Sequence, residues 1–156
     1  MNDLHPGVKR LLLGRLSPGV WSIAALDAAS TSTAVRHGWL LHEVDLSNLI
    51  DEAQLRDAVA ATFAFHDCFG PTWAAVYDGL IDRAWPAGSR VMLVLRGGAS
   101  TPLERDLPTL VRLLDDAADW WLPRGTSFVT VMVGDDRGPT LDYWLGLDDP
   151  EHPPIA

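Results

Sequence analysis

The chain has 156 residues, the length of one domain that is large enough to bury a core, and 47% of them are hydrophobic. Its 21 acidic and 12 basic side chains leave a net charge of −9, which opposes binding to nucleic acid and favours a basic protein partner. The same acidity is also compatible with a role in solubility alone, and charge by itself does not separate these two interpretations.

Two features bear on where the protein works. Cys68 is the single cysteine, so the chain cannot form an internal disulfide, as is usual in a reducing compartment. The apolar run at 11–13 is too short for a signal peptide or a membrane span. We therefore expect a cytoplasmic protein that has no membrane partner.

The first predicted elements are a short strand over 19–24 and a helix or loop over 25–37. A second strand is predicted over about 39–46, where apolar residues occur on both sides of the alternation. This mixed pattern is typical of a strand that is covered on both faces.

A helix is predicted from about 51 to 64. Asp51 and Gln54 have the spacing of a capping box, and Ile50 is placed to pack on the first turn as a hydrophobic staple. Three apolar residues recur at the helical period and are predicted to form the buried stripe. They are Leu55, Val59 and Phe63.

The next segment combines a tight turn with a second helix, which we predict to begin at Gly70-Pro71, because proline fits the first helical position. Ala74, Asp78 and Asp82 recur at intervals of four and form a small, acidic face. A loop and a helix start that are presented together indicate a surface that inserts into a partner. The predicted core face of this helix comprises Trp73, Val76, Tyr77, Leu80 and Ile81.

The second half of the chain is predicted to continue as alternating strands and helices. Residues 90–95 form a nearly continuous apolar run, which is the pattern of a central parallel strand. A short helix is expected from Thr101, a longer one from Pro108 to Gly125, and a strand over 127–133. This order predicts an α/β fold with a parallel sheet. The longer helix has the predicted stripe Val111, Leu114, Ala118 and Trp121.

The segment Cys-Phe-Gly-Pro-Thr-Trp-Ala-Ala-Val-Tyr-Asp-Gly-Leu at 68–80 resembles the barstar family of ribonuclease inhibitors. The likeness extends from 39 to 133 in the order of the elements and covers about 95 residues. It implies a three-stranded parallel sheet flanked by helices. We therefore divide the chain into an N-terminal extension (1–37) that contains a strand, a barstar-like domain (38–134) and an acidic tail (135–156).

The resemblance also implies a binding face. In the family, the second helix and the loop before it block a ribonuclease active site, and an acidic residue in the first turn of this helix stands in for substrate phosphate. That position holds Ala74 in this sequence, whereas Asp78 matches the acidic contact one turn later. Asp116, or Asp115 beside it, falls near a further acidic contact. The predicted partner-binding residues are Phe69, Gly70, Thr72, Trp73, Ala74, Asp78 and Asp116.

The resemblance therefore implies an inhibitor that binds a basic extracellular-type ribonuclease or nuclease toxin, and we expect it to be monomeric when free. Because Ala74 replaces a carboxylate, the alternative is a barstar-fold interaction module that no longer inhibits a ribonuclease. Two of the predicted binding residues also have purely structural interpretations. Asp78 is explained equally by the solvated face of a helix, and Trp73 by a position in the core. We expect no enzyme, cofactor or metal site, since His66, Asp67 and Cys68 form no catalytic triad and the histidines lack metal-binding spacing.

Overall fold

A computed structural model describes residues 18–65, 72–97 and 102–134 of the chain. These residues form four β-strands, four α-helices and two short 3-10 helices. The strands are β1 (Gly19–Ile23), β2 (Leu40–Asp45), β3 (Arg90–Arg96) and β4 (Ser127–Val133). The α-helices are α1 (Ala28–Arg36), α2 (Glu52–Thr62), α3 (Trp73–Ile81) and α4 (Leu107–Trp121), and the 3-10 helices are Pro102–Arg105 and Leu122–Arg124.

The strands form one parallel sheet in the order β1-β4-β3-β2, which confirms the predicted α/β class. Strands β2, β3 and β4 correspond to the three strands that the family resemblance implies. The sheet has a fourth strand because β1 pairs with β4 along its whole length, from Gly19 opposite Val129 to Ile23 opposite Val133. The predicted N-terminal strand thus satisfies backbone groups of β4 that would otherwise lie at an edge.

Helices cover both faces of the sheet. Helices α2, α3 and α4 pack on one face over a core that contains Phe63, Leu93 and Phe128. The opposite face is covered by α1 and the segments around it, and its core contains Trp21, Met92 and Val131. Strands β3 and β4 are buried on both faces, which explains their continuous apolar sequences.

Strand β2 is less covered than the sequence predicts. It lies at the edge of the sheet, and Leu40 at its start is 46% exposed. The prediction of a strand covered on both faces is wrong at this end, although Val44 near the other end is buried. A mixed apolar pattern therefore does not distinguish an edge strand from a central one.

The predicted cap of α2 is confirmed, and the staple is not. Asp51 accepts a hydrogen bond from the N–H of Gln54 at 2.8 Å, and the Gln54 side chain accepts one from the N–H of Ile50 at 2.9 Å. The Ile50 side chain is 68% exposed, so it does not pack on the first turn. All three residues of the predicted stripe, Leu55, Val59 and Phe63, are buried.

The remaining elements begin and end close to their predicted positions. Residues 28–36 are helical rather than a loop, because the Asp27 side chain caps the first turn through the N–H of Ser30. Helix α4 begins one residue before Pro108, and Gly125 follows its 3-10 extension with the left-handed φ of +82°. The predicted acidic tail from 135 onward lies outside the described residues.

Candidate functional site

Helix α3 begins at a side-chain cap. Thr72 has the extended backbone of an N-cap residue, and its Oγ1 accepts a hydrogen bond from the N–H of Ala75 at 3.1 Å. Trp73 is therefore the first helical residue. The prediction that the helix begins at Gly70-Pro71 is wrong, because the hydroxyl of Thr72 satisfies one of the free N–H groups of the first turn from a position outside the helix.

Helix α3 is fixed to the core from beneath. Val76 and Leu80 are fully buried and pack with the main core cluster. Gly79 lies against the ring of Phe65, the last described residue before 66–71. A Cβ atom at position 79 would lie 2.7 Å from Phe65 Cε2, which is closer than real contacts allow. The helix and the chain that precedes the predicted binding loop are thus in direct contact.

The small, acidic face of α3 points to solvent, as its helical spacing predicts. Ala74, Asp78 and Asp82 are all exposed. Within the described ranges, the carboxylates of Asp78 and Asp82 have no hydrogen-bond or ion-pair partner. Both charges are therefore available to a partner molecule, and neither must first leave a contact with another described residue.

A groove of about 620 Å³ lies between α3 and α4. Trp73, Ala74 and Tyr77 form its α3 side, and Asp116 lies among the residues of its α4 side. The structure thus brings three of the predicted binding residues together, while Asp78 lies outside the groove on the exposed face of α3. The α4 side and the adjacent turn contribute Thr109, Arg112, Leu113, Asp116, Asp119, Trp120 and Arg124.

Two neighbouring aspartates on α4 have different roles. The Asp115 Oδ1 atom accepts a hydrogen bond from the N–H of Val20 in β1 at 3.0 Å. Partial burial raises the pKa of the Asp115 carboxyl; the Val20 hydrogen bond lowers it, and the charges of Asp119 and Asp116 raise it further. Asp116, by contrast, lines the groove. Of the two alternatives that the sequence leaves open, Asp116 is the one beside α3.

Trp73 has both a packing contact and a surface contact. It is partly buried against the main core cluster, and it also lines the groove. The guanidinium of Arg56 lies 5.8 Å from the centre of its ring, and Arg56 also pairs with Glu52 one turn earlier in α2. The core interpretation and the binding interpretation of Trp73 therefore both fit its position.

Most residues on the α4 side of the groove were not predicted from the sequence. Trp120 and Arg124 form a stacked pair there, with the guanidinium 3.4 Å from the ring centre, and Arg124 donates a hydrogen bond to the Trp120 carbonyl. Arg112, Asp116 and Trp120 recur at intervals of four, so they share one helix face. That spacing was available in the sequence, but which helix this face meets depends on the tertiary packing.

Two predicted binding residues, Phe69 and Gly70, lie outside the described residues, as do His66, Asp67 and Cys68. Within 18–65, 72–97 and 102–134, no group of three or more histidine, cysteine, aspartate or glutamate side chains is arranged to hold a metal ion. No helix in these same ranges is both long enough and apolar enough to span a membrane.

Comparison with known proteins identifies the family. The family model described as Barstar (barnase inhibitor) matches residues 39–133, from the residue before β2 to the end of β4. The comparison with curated proteins gives no match. The matched region contains α3, α4 and the groove between them, and it covers more than half of the chain. Its description is that of an inhibitor and not of an enzyme. The chain belongs to the barstar family of barnase inhibitors.

Proposed function

We propose that this protein inhibits a basic ribonuclease or nuclease toxin by covering its active site with α3, the loop before α3 and part of α4. The observation that carries the proposal is the exposed Asp78 carboxylate, which has no partner within the described residues. An active site that binds RNA is rich in lysine and arginine, so a carboxylate presented on a protein surface can replace the phosphate that the site normally holds.

The support beneath Asp78 favours binding by a preformed surface. Its helix is capped by Thr72 and is anchored by two fully buried side chains, Val76 and Leu80. A carboxylate whose helix backbone is already held in place has less conformational entropy to lose when a partner binds. Asp116, across the groove, extends the same acidic surface onto α4. We propose that Asp78 is the principal carboxylate and that Asp116 lies at the periphery of the contact.

The overall charge supports the same kind of partner. With a net charge of −9, the protein attracts a basic ribonuclease over a distance and raises the association rate. We expect this rate to fall as salt is added, because exposed charges separated by more than about 10 Å are largely screened at 0.1 M ionic strength.

The test is a titration of ribonuclease activity with purified protein. The targets are several microbial guanyl-specific ribonucleases and any nuclease toxin encoded beside this protein. We expect stoichiometric inhibition of at least one of them. Asp78→Asn should weaken that inhibition by about 30-fold or more, since loss of one partner of a desolvated charge pair costs about 2–5 kcal/mol.

Asp82→Asn is the matched control, because Asp82 lies one turn further on the same exposed face and has the same charge. We expect it to change inhibition little. Equal effects of the two substitutions would show that only net charge matters and would contradict the role of Asp78. The absence of inhibition and of binding for every target, at micromolar excess, would contradict the proposed function itself.

A second candidate function is a barstar-fold interaction module that binds another protein without inhibiting a ribonuclease. The observation that favours it is Ala74, which is exposed and lines the groove but provides no charge. The substitution Ala74→Asp separates the two functions. If it creates tight inhibition where the natural chain has none, the module interpretation is correct.

Ala53→Asp provides a matched control for this substitution. Ala53 is also exposed and is also the second residue of its helix, α2, so a carboxylate there has the same helix environment away from the groove. Inhibition gained by Ala74→Asp but not by Ala53→Asp would place the effect at the binding face. Inhibition gained by both would show a nonspecific effect of charge.

A further inference from the structure

A second surface pocket lies along α4. It has a volume of about 420 Å³, and Pro108 and Val111 provide apolar lining. Asp115 and Asp116 lie at the same pocket together with Arg112, so its charged groups sum to a net negative charge. A segment that combines aliphatic and basic side chains would match this surface in both polarity and charge.

The N-terminal part of the chain joins the fold beside this pocket. Strand β1 begins at Gly19, and the N–H of Val20 donates its hydrogen bond to Asp115, which is one of the pocket residues. A Cβ atom on Gly19 would lie 3.2 Å from the same carboxylate oxygen. The described part of the chain therefore begins next to α4.

The composition of residues 1–17 complements the pocket. Their charged side chains are three bases, Lys9, Arg10 and Arg15, and one acid, Asp3. The other end of the chain has the opposite character, since residues 135–156 contain six acids and one base. Charge complementarity thus favours the N-terminal segment over the C-terminal one. The aliphatic residues among the bases are Val8, Leu11, Leu12, Leu13 and Leu16.

We propose that residues 8–16 dock in cis on the α4 pocket, with aliphatic side chains against Pro108 and Val111 and basic side chains beside Asp115 and Asp116. The reach is sufficient, because ten residues span up to about 35 Å when extended and the pocket covers about 12 Å of helix. A short tether gives an effective concentration of about a millimolar, so even a weak contact is populated.

This docking covers Asp116, which also lines the groove between α3 and α4. The bound segment would therefore compete with a basic partner for the α4 side of the binding face. Only this consequence depends on the proposed function. The docking itself is a property of the free protein and can be tested without any partner.

The test uses zero-length carbodiimide cross-linking of the full chain. Lys9 is the single lysine of the sequence, so any lysine-to-carboxylate amide must begin at that residue. Cleavage after Arg112 and Arg124 releases a tryptic peptide, 113–124, that contains Asp115, Asp116 and Asp119. We expect mass spectrometry of the monomeric product to find Lys9 joined to this peptide.

Two comparisons decide the outcome. Arg10→Glu combined with Arg15→Glu retains Lys9 and every α4 carboxylate, and it should lower the yield of the cross-link several-fold. The natural chain in about 1 M NaCl, where the Debye length is about 3 Å, should show the same loss. The proposal is overturned by a cross-link that neither change affects, by preferred attachment of Lys9 to other carboxylates, by a product that joins two chains, or by no cross-link in the monomer.

Discussion

The contact between Gly79 and Phe65 predicts that Gly79→Ala changes stability in the direction opposite to the usual effect of this substitution in a helix. Gly79 lies inside α3, where replacement of glycine by alanine normally stabilises a protein by about 1 kcal/mol. In this protein the added methyl group would lie 2.7 to 2.8 Å from three carbons of the Phe65 ring. We expect Gly79→Ala to destabilise the fold, because the ring must move.

The magnitude follows from two opposing contributions. Overpacking of this kind costs about 1–3 kcal/mol, and the gain in helix propensity offsets about 1 kcal/mol of it. The net expected loss is about 1 kcal/mol. Since the ring of Phe65 is partly buried and stacks near Phe63 at 6.2 Å between centroids, it has limited room to move away.

Urea denaturation followed by circular dichroism measures this loss, and a double-mutant cycle assigns it to the ring. In a Phe65→Ala background the obstacle is absent, so Gly79→Ala should stabilise by about 1 kcal/mol. Ala75→Gly, in the same helix, gives the propensity contribution independently. Stabilisation by Gly79→Ala in the natural chain, or an equal effect in both backgrounds, would refute the reasoning.

Three further predictions concern elements that hold the binding face in place. Thr72→Ala removes the cap of α3 and should lower the free energy of unfolding by about 1 kcal/mol, whereas Thr72→Asn should retain most of it. The raised pKa of Asp115 means that the folded state binds the proton of this carboxyl more tightly than the unfolded state does. The free energy of unfolding should therefore decrease as pH rises above the usual aspartate pKa of about 3.9. Asp115→Asn should remove this pH dependence from the free energies measured by urea denaturation. Truncation to 39–133 removes β1 and α1 together with four large buried side chains, those of Val20, Trp21, Ile23 and Leu26. At about 1.5–3 kcal/mol each, their loss is comparable to the stability of a typical domain. We therefore expect that truncated chain to bind a hydrophobic dye and to lose its cooperative unfolding transition, and a cooperative, dye-free 39–133 would show that 1–37 is a dispensable extension.

Much of the fold could be predicted because local sequence signals agreed with the tertiary structure. The cap at Asp51 and the stripe Leu55, Val59 and Phe63 depend only on spacing within one helix, and all are confirmed. The apolar runs of β3 and β4 likewise reflect burial on both faces. Signals of this kind are reliable where a residue's environment follows from its own element.

The errors occur where neighbouring elements decide the outcome. Ile50 has the sequence position of a staple, but its side chain remains exposed. Proline at 71 suggested a helix start, yet the hydroxyl of Thr72 defines the first turn. The role of β1 as a fourth strand of the same sheet depended on pairing with β4, more than 100 residues later in the chain. The division into 1–37, 38–134 and 135–156 stays a prediction.

At the candidate binding site, too, the packing of neighbouring elements decided which residue has the functional position. Asp115 and Asp116 are adjacent and chemically identical, so the family resemblance favoured Asp116 but left Asp115 as an alternative one residue away. The hydrogen bond from Val20 directs Asp115 toward β1, and Asp116, about 100° further around α4, lines the groove beside α3. The strand that precedes the family-matched region therefore contacts the helix that provides half of the candidate binding face. A change in β1 should consequently alter partner binding through the position of α4, even though β1 contributes no residue to the groove.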